Sequence, residues 1–241
     1  RVHRPMSASD PAGVERFLGD LFADPPLVHD RPDGARSHVW HTEPACYRFM
    51  AGVVSSKSRT LETGCGVSTA MFAGLGTDHT AIFASQEEAD ALRAWCERRG
   101  VSTDRLTLLL QFSSVALPTL TDPVDLFLID GAHSFPAPVI DWFYGGQLLV
   151  KGGVLVVDDA QLPAVALLLE FLDADPRWDA VAGDDKWRAY RRLSEGSLVE
   201  EWVRQSFWRS PRRPGLGQRA AGRLRRTLGQ APSREIQLPD R

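Results

Sequence analysis

From residue 59 onward, short apolar segments alternate with longer segments of helical periodicity, and this alternation constrains the fold more than any other feature. Strands that alternate with helices form a mainly parallel sheet that is covered by helices on both faces. The segments WDAVAG and KWRAYRRL, joined by Asp184 and Asp185, predict a terminal hairpin, so the last strand is antiparallel. We therefore predict an α/β, doubly wound sheet of about seven strands. The predicted strands are 59–64, 79–84, 104–110, 124–130, 152–159 and the two arms of the hairpin.

Helical segments link these strands and also precede them. The segment 11–23 predicts a short amphipathic helix. The segment 41–56 predicts a second helix, with Thr42 as N-cap and Pro44 in the first turn, where its missing N–H is harmless. The linking helices are predicted at 67–75, 86–100, near 113–117, at 136–150 and at 162–174.

The predicted organisation has four parts. A helical segment on the substrate side, 1–56, precedes the sheet domain, 57–194. The segment 195–208 predicts an amphipathic helix whose apolar residues cover the sheet edge, with a contact in a homodimer as the alternative. The last part, 209–241, is rich in Gly, Pro and Arg and is predicted to be a disordered, basic tail.

Charge is distributed unevenly along the chain. The 241 residues carry a net charge of −3, which argues against a protein that binds nucleic acid over its whole surface. The tail holds nine Arg against Glu235 and Asp240, so it carries +7 and the rest of the chain −10. Such a tail could bind RNA, acidic lipid or an acidic partner, although a solubilising extension is the commoner case.

The three cysteines, Cys46, Cys65 and Cys96, are odd in number and form no CxxC pair. A disulfide framework or a zinc site is therefore not expected, and a reducing compartment is the default. No uncharged apolar run is long enough to span a bilayer, and the first residues lack the apolar core of a signal peptide. We expect a cytoplasmic protein with no membrane partner.

The segment LETGCGVST, residues 61–69, places two glycines between a strand and a helix. Glu62 closes the strand, Gly64 and Gly66 allow a tight turn, and the helix follows at once. Glycines at such a turn let backbone N–H groups and the helix N-terminus approach a ligand closely, although a glycine pair often only makes a turn. A nicotinamide dinucleotide site would require a third glycine where this chain has Thr69.

Carboxylates end two further predicted strands. Asp130 follows LFLI, and Asp158 and Asp159 follow GGVLVV, at a distance of 28 residues that fits one helical crossover. Adjacent parallel strands end side by side, so these carboxylates are predicted to converge at one rim of the sheet. Packed carboxylates repel unless a cation balances them, and their hard oxygens suit Mg²⁺, Ca²⁺ or Mn²⁺. The alternative is that Asp158 and Asp159 only cap the following helix.

His133 lies three residues after Asp130, at the same predicted rim. An imidazole takes a proton near neutral pH without a large pKa shift, so His133 is a candidate general base. The alternatives are a cap for the helix that begins at Pro136 and a solvated loop residue. Among the other five histidines, only His41 is a candidate for a substrate pocket.

The acid-x-Gly-x-Gly turn resembles the first motif of the class I S-adenosylmethionine-dependent methyltransferases, whose fold is Rossmann-like. Over roughly residues 41–193, the order IDGAHSF, helix, GGVLVVDD is most similar to the metal-dependent O-methyltransferase branch, which includes catechol-type and macrolide-sugar enzymes. The resemblance implies S-adenosylmethionine as cofactor, Mg²⁺ or another divalent cation, and a small-molecule acceptor. It assigns metal binding to Asp130, Asp158 and Asp159, and proton removal to His133. It assigns cofactor binding to Glu62, Gly64, Gly66, Ser68, Ser113 and Asp130.

Two segments depart from the pattern of that family. The second strand ends in IFASQEE, with Phe83 or Ser85 where most members carry an acid for the cofactor's ribose. Glu87 or Glu88 could substitute, but both are predicted to face solvent in the first turn of a helix, where the helix dipole favours them. The third strand is followed by QFSS instead of a Gly-Asp or Gly-Ala pair, and Ser113 still matches a serine near the adenine.

The sequence therefore predicts an enzyme that transfers a methyl group to an oxygen of a small molecule. Such a transfer is an in-line displacement, so the enzyme must align acceptor, methyl group and sulfur. Two alternatives stay open. One is a nucleic-acid methyltransferase anchored by the basic tail, although nucleic acid is not the expected partner. The other is a catalytically inactive descendant that keeps the fold as an interaction module.

Overall fold

The computed structural model describes residues 10–30, 36–37, 42–201 and 203–209. The chain divides into two units, residues 1–208 and 209–241, and Arg209 is the only residue of the second unit among those described. The predictions for the tail, for the first nine residues and for His41 therefore lie outside the described part.

Seven strands form the central sheet, after a short antiparallel pair, β1 (His29–Asp30) and β2 (Arg36–Ser37). The seven are β3 (Arg59–Thr63), β4 (Asp78–Phe83), β5 (Leu106–Leu110), β6 (Val124–Ile129), β7 (Leu149–Val157), β8 (Trp178–Gly183) and β9 (Arg188–Arg192). Their order across the sheet is β5-β4-β3-β6-β7-β9-β8. The first five strands in this order pair in parallel, and β9 pairs antiparallel with both β7 and β8. The prediction of about seven strands with the last one antiparallel is confirmed.

Eight α-helices and one 3-10 turn occupy the described residues outside the strands. They are α1 (Pro11–Ala23), α2 (Pro44–Val53), α3 (Val67–Leu75), α4 (Gln86–Arg99), α5 (Ser113–Ala116), the 3-10 turn Leu117–Thr119, α6 (Ala137–Leu148), α7 (Pro163–Ala174) and α8 (Ser206–Arg209). The bounds of α1 and α3 agree with the predicted ones. Within this part of the chain, no helix combines the length and the apolarity needed to cross a bilayer.

Apolar side chains pack on both faces of the sheet. Along β6, Leu126 and Leu128 belong to a cluster with residues of α1 to α4, whereas Phe127 and Ile129 belong to a cluster with residues of α5 to α7. This alternation follows from the two-residue period of a strand that is buried on both faces. The sheet is therefore doubly wound, as predicted.

Two predicted helix features are wrong. Helix α2 begins at Pro44 with Glu43 as its N-cap instead of Thr42, and the Thr42 hydroxyl donates a hydrogen bond to Oδ1 of Asp158 at 2.6 Å. The predicted helix 195–208 covers only Ser206–Arg209, and residues 193–201 form no helix.

Tertiary hydrogen bonds hold the segment before α8 in an irregular conformation. Gly196 has a φ of 81°, and the guanidinium of Arg177 donates to the carbonyl of Leu198 at 3.1 Å. The guanidinium of Arg192 donates to the carbonyl of Gly196. The Leu198 side chain is nevertheless buried in the apolar cluster beside α6 and α7. The segment therefore packs on the sheet domain without forming the predicted helix.

Candidate active site

A cavity of about 450 Å³ lies at the carboxyl ends of the central strands, where the strand order reverses between β3 and β6. Doubly wound sheets bind ligands at such a reversal, and the volume suits a small molecule. Two predicted site residues, Glu62 and Asp158, lie behind the cavity wall. The wall itself contains seven of the predicted site residues: Gly64, Gly66, Ser68, Ser113, Asp130, His133 and Asp159.

The turn between β3 and α3 brings two glycines to the cavity for different reasons. Gly64 has a φ of 108°, and a Cβ atom there would collide with the backbone carbonyl of Asp130. Gly66 is the N-cap of α3, and the nearest atom to a Cβ there would be Nε2 of His29 at 3.5 Å. Gly64 is therefore required for the backbone to pack, whereas Gly66 keeps the cavity wide.

The carboxylate of Glu62 braces this turn from behind. It is fully buried, and its Oε1 accepts a hydrogen bond from the Thr69 hydroxyl and lies 3.0 Å from Nε2 of His79. The Thr69 oxygen in turn accepts the N–H of Gly66 at 2.9 Å. Oε2 of Glu62 has no hydrogen-bond partner among the described residues. The structure thus places Glu62 as a support of the turn from behind the cavity wall.

An acid rim forms where β6 and β7 end. Ile129 and Val157 are partners in the parallel register, so the residues that follow them are neighbours. The side chains of Asp130, His133 and Asp159 offer atoms that lie within 4.8 Å of one another. Nε2 of His133 lies 3.0 Å from Oδ2 of Asp159 and 4.0 Å from Oδ1 of Asp130. The structure therefore brings these three predicted residues together.

Asp158 is not part of this group. Its side chain is only 1% exposed, and its Oδ1 accepts the Thr42 hydroxyl. Its Oδ2 accepts a hydrogen bond from the ammonium of Lys186 at 3.4 Å. Asp158 lies outside the group of atoms within 4.8 Å of one another, and its oxygens face Thr42 and Lys186, so the structure does not bring the predicted ligand set of Asp130, Asp158 and Asp159 together.

Lys186 is a site residue that the sequence reasoning missed. It lies in the turn between β8 and β9, and its ammonium donates to Oδ1 of Asp159 at 2.6 Å. The same oxygen of Asp159 accepts the side-chain amide of Gln161 at 3.0 Å. The only available signal was a lysine within the acidic turn GDDKW, and the sequence did not reveal that β9 pairs with β7.

The two carboxyl groups beside His133 have opposite pKa shifts. Burial, together with the charges of Asp158, Glu62 and Asp159, raises the pKa of Asp130 well above its usual range. Burial alone would also raise the pKa of Asp159, but hydrogen bonds from Lys186 and Gln161 outweigh it, and that pKa is lowered. Asp159 is therefore the ionised partner of His133, while Asp130 holds its proton to higher pH.

The N-terminal segment and α4 close the opposite side of the cavity. Glu88 lines the cavity with its side chain 25% exposed, so the prediction that it faces solvent is wrong. Oε1 of Glu88 lies 3.3 Å from Nδ1 of His29, which also lines the cavity and which the sequence reasoning missed. The exposed Glu87 instead accepts the Ser85 hydroxyl at 3.3 Å.

The third side of the cavity is apolar. Ile82 and Phe83 at the end of β4, and Phe112 before Ser113, line this side. Among the described lining residues, the carboxylates are Glu88, Asp130 and Asp159, and there is neither Lys nor Arg. The cavity therefore combines an apolar wall with a negatively charged one.

Comparisons with known proteins agree with this architecture. Residues 61–160 match the family model of a methyltransferase domain. The structure is similar to that of a Podospora anserina methyltransferase bound to S-adenosylhomocysteine, with 19% identity, a TM-score of 0.55, and coverage of 75% of this chain and 88% of that one. An O-methyltransferase from Bacillus cereus in complex with S-adenosylhomocysteine has 17% identity, a TM-score of 0.54, and coverage of 77% of this chain and 91% of that one.

The structural similarity is not confined to one kind of substrate. An rRNA methylase from Streptococcus thermophilus has 16% identity, a TM-score of 0.51, and coverage of 64% of this chain and 99% of that one. No curated protein sequence matches the chain. At these identities the solved structures establish the fold, and the family model establishes the domain. Together they show a methyltransferase domain over residues 61–160 within a Rossmann-like fold shared with solved methyltransferases.

Proposed function

We propose that the cavity binds S-adenosylmethionine between the glycine turn and the apolar wall. The cofactor carries a sulfonium and an ammonium, and a cavity with three acidic side chains and no Lys or Arg among its described lining residues favours such a ligand. The backbone at Gly64 and Gly66 admits close approach at the N-terminus of α3. The S-adenosylhomocysteine bound by the two methyltransferases above supports the same assignment.

Glu88 is the acid that we assign to the cofactor's ribose. Strand β4 ends at Phe83 without an acid, but Glu88 reaches the cavity from the first turn of α4. A carboxylate can accept hydrogen bonds from two neighbouring hydroxyls. Phe83 and Phe112 offer apolar surface for the flat adenine, next to Ser113.

We further propose that the acceptor is a hydroxyl group of a small molecule. The observation that carries this proposal is His133 at the cavity rim with Nε2 3.0 Å from Oδ2 of Asp159. S-adenosylmethionine supplies the methyl group when bound. His133 takes the proton of the acceptor hydroxyl, and Asp159 keeps the imidazole oriented and stabilises its positive charge.

A divalent cation is the second candidate for activating the acceptor. Asp130, His133 and Asp159 offer two carboxylates and an imidazole close enough to share one ion. In that arrangement His133 would be a ligand, and the ion would lower the pKa of the hydroxyl. The predicted metal dependence stays a prediction, and the group close enough to hold an ion is Asp130, His133 and Asp159, whereas the predicted ligands were Asp130, Asp158 and Asp159.

An acceptor screen tests the proposed function. The full chain is incubated with S-adenosylmethionine and with catechols, sugar hydroxyls, aliphatic amines or total RNA, and release of S-adenosylhomocysteine is measured. We expect release with hydroxyl compounds and none above background with RNA, because the acidic cavity repels phosphates. Release with RNA alone, abolished by high salt or by deleting 210–241, would establish the nucleic-acid alternative instead.

A further inference from the structure

Lys186 and the acid pair Asp158–Asp159 form one hydrogen-bonded unit. The backbone N–H of Lys186 donates to Oδ1 of Asp184 at 2.8 Å, which fixes the turn between β8 and β9. Its carbonyl accepts the N–H of Ala160, the residue after Asp159, at 2.7 Å. The backbone therefore holds the lysine against the chain segment that carries the acids.

Three of the four carboxylate oxygens of the pair accept hydrogen bonds, and the fourth lies beside the His133 imidazole. Asp158 accepts from Thr42 through one oxygen and from Lys186 through the other. Asp159 accepts from Lys186 and Gln161 through Oδ1, and Oδ2 lies 3.0 Å from His133. A divalent ion needs several oxygen ligands at roughly 2.0–2.6 Å, and the ammonium of Lys186 already lies at one oxygen of each acid that the ion would have to approach.

Charge balance also disfavours a divalent ion at this acid pair. Placing a divalent ion beside an ammonium repels both, whereas the ammonium alone already offsets one of the buried negative charges. Lys186 is itself only partly exposed, and its ammonium lies 2.6 Å from Asp159 and 3.4 Å from Asp158. The lysine thus occupies the place where a cation is most strongly stabilised.

We propose that Lys186 is the permanent cation of this acid cluster, in the place where the metal-dependent O-methyltransferases bind a divalent ion. Its catalytic consequence rests on the proposed function. Lys186 fixes Asp159, and Asp159 lies beside His133, so Lys186 is a positioning residue for the general base. Methyl transfer then needs no divalent cation.

Binding of Mn²⁺ to the full chain tests this proposal without cofactor or acceptor. Electron paramagnetic resonance would compare the parent with Lys186→Met, which removes the charge, and Lys186→Arg, which keeps it. Lys151→Met, at an exposed lysine 3.6 Å from Glu195, is the matched control. We expect Lys186→Met to bind Mn²⁺ at least about tenfold more tightly than the other three proteins, because only it has an unbalanced acid pair.

Two outcomes would overturn the proposal. One is a parent chain that binds Mn²⁺ as tightly as Lys186→Met. The other is binding by neither protein, because the ammonium would then not be what excludes the ion. Thermal unfolding checks that each variant is folded, and Lys186→Gln replaces Lys186→Met if the latter is not.

A second readout separates positioning from mere structural support. Once an acceptor is known, kcat should survive chelator in the parent and in Lys186→Arg. It should fall in Lys186→Met by at least about tenfold and return when Mn²⁺ is added. Stimulation of the parent by Mn²⁺ would contradict the proposal.

If no acceptor is found, the Mn²⁺ binding experiment still tests whether Lys186 excludes the ion. Failure of the proposed function therefore stays distinguishable from failure of this inference.

Discussion

Asp159 has a φ of 55°, in the left-handed region where residues other than glycine are uncommon. Such a conformation costs about 1–3 kcal/mol and persists only where surrounding contacts impose it. Here the ammonium of Lys186 and the amide of Gln161 hold the side chain, and its second oxygen lies beside His133. The unusual backbone conformation of Asp159 therefore occurs in the His133–Asp159 pair that we assign to proton transfer.

Replacing His133 tests this assignment at the level of one side chain. His133→Ala should slow methyl transfer by ~10²–10⁴, the usual effect of losing a general base, and leave the Kd for S-adenosylmethionine unchanged. Steady-state rates and calorimetry measure the two quantities. The neighbouring Ser134 is exposed, so Ser134→Ala should keep the parent rate. A His133→Ala enzyme as fast as the parent would rule out this role.

The buried carboxyl group of Asp141 on α6 should make the free energy of unfolding depend on pH. Its side chain is fully buried, and neither carboxylate oxygen has a partner at hydrogen-bond geometry in the described structure. Burial raises its pKa, and the nearby hydroxyls of Ser113 and Thr63 and the charge of His133 only partly oppose the shift.

A raised pKa means that the folded state holds a proton that the unfolded state has lost. The parent should therefore lose stability as the pH rises from the unfolded pKa, about 3.9, through the folded pKa. Asp141→Asn cannot ionise, so its free energy of unfolding relative to the parent should increase over that window. Urea unfolding at several pH values measures this difference, with the exposed Asp104→Asn as control. A difference that stays constant with pH would refute the expectation.

At the scale of elements, the glycine turn and the first turn of α3 form the part of the site that contacts the cofactor in our proposal. Gly66→Val should lower the affinity for S-adenosylmethionine by at least about tenfold, or about 1.4 kcal/mol, because its side chain would fill the cavity near His29. The fold should be kept, since Gly66 has an extended φ of 167° and only ordinary contacts around it.

Gly64 supplies the matched contrast. Gly64→Ala should lower the free energy of unfolding by about 1–3 kcal/mol, because its φ is positive and its Cβ would meet the carbonyl of Asp130. Thermal unfolding and calorimetry on both variants separate the two roles. If Gly66→Val binds as well as the parent, the turn is only a structural feature.

Elements whose sequence pattern is local were predictable. Strands β3, β4 and β6 and helices α1 and α3 follow from apolar periodicity and flanking turn residues, and the rim residues Asp130 and His133 follow from the strand that precedes them. Features that depend on partners distant in the sequence could not be predicted. The Thr42 hydroxyl donates to Asp158, 116 residues away in the sequence, and Lys186 reaches Asp159 because β9 pairs with β7. The residues around Thr42 show no sign of the first contact, and the lysine in the acidic turn GDDKW is the only sign of the second.

At the scale of the whole molecule, the charge is divided between an acidic body and a basic tail. Deleting 210–241 leaves α8 complete, and the tail is predicted from its composition to be disordered. The melting temperature should therefore fall by less than about 4 °C, which corresponds to roughly 1–2 kcal/mol for a chain of this size. Methyl transfer to a small molecule should be unchanged. Differential scanning calorimetry checks the first expectation, and a larger fall would show that the tail stabilises the fold.

We propose that the cavity at the strand reversal binds S-adenosylmethionine without help from a metal ion. Calorimetric titration of the full chain with S-adenosylmethionine in the presence of excess chelator measures this directly. We expect saturable binding of one molecule per chain with a Kd in the micromolar range, about −8 kcal/mol, unchanged when Mg²⁺ replaces the chelator. No saturable binding under either condition would contradict it and would favour a chain that keeps the fold as an interaction module.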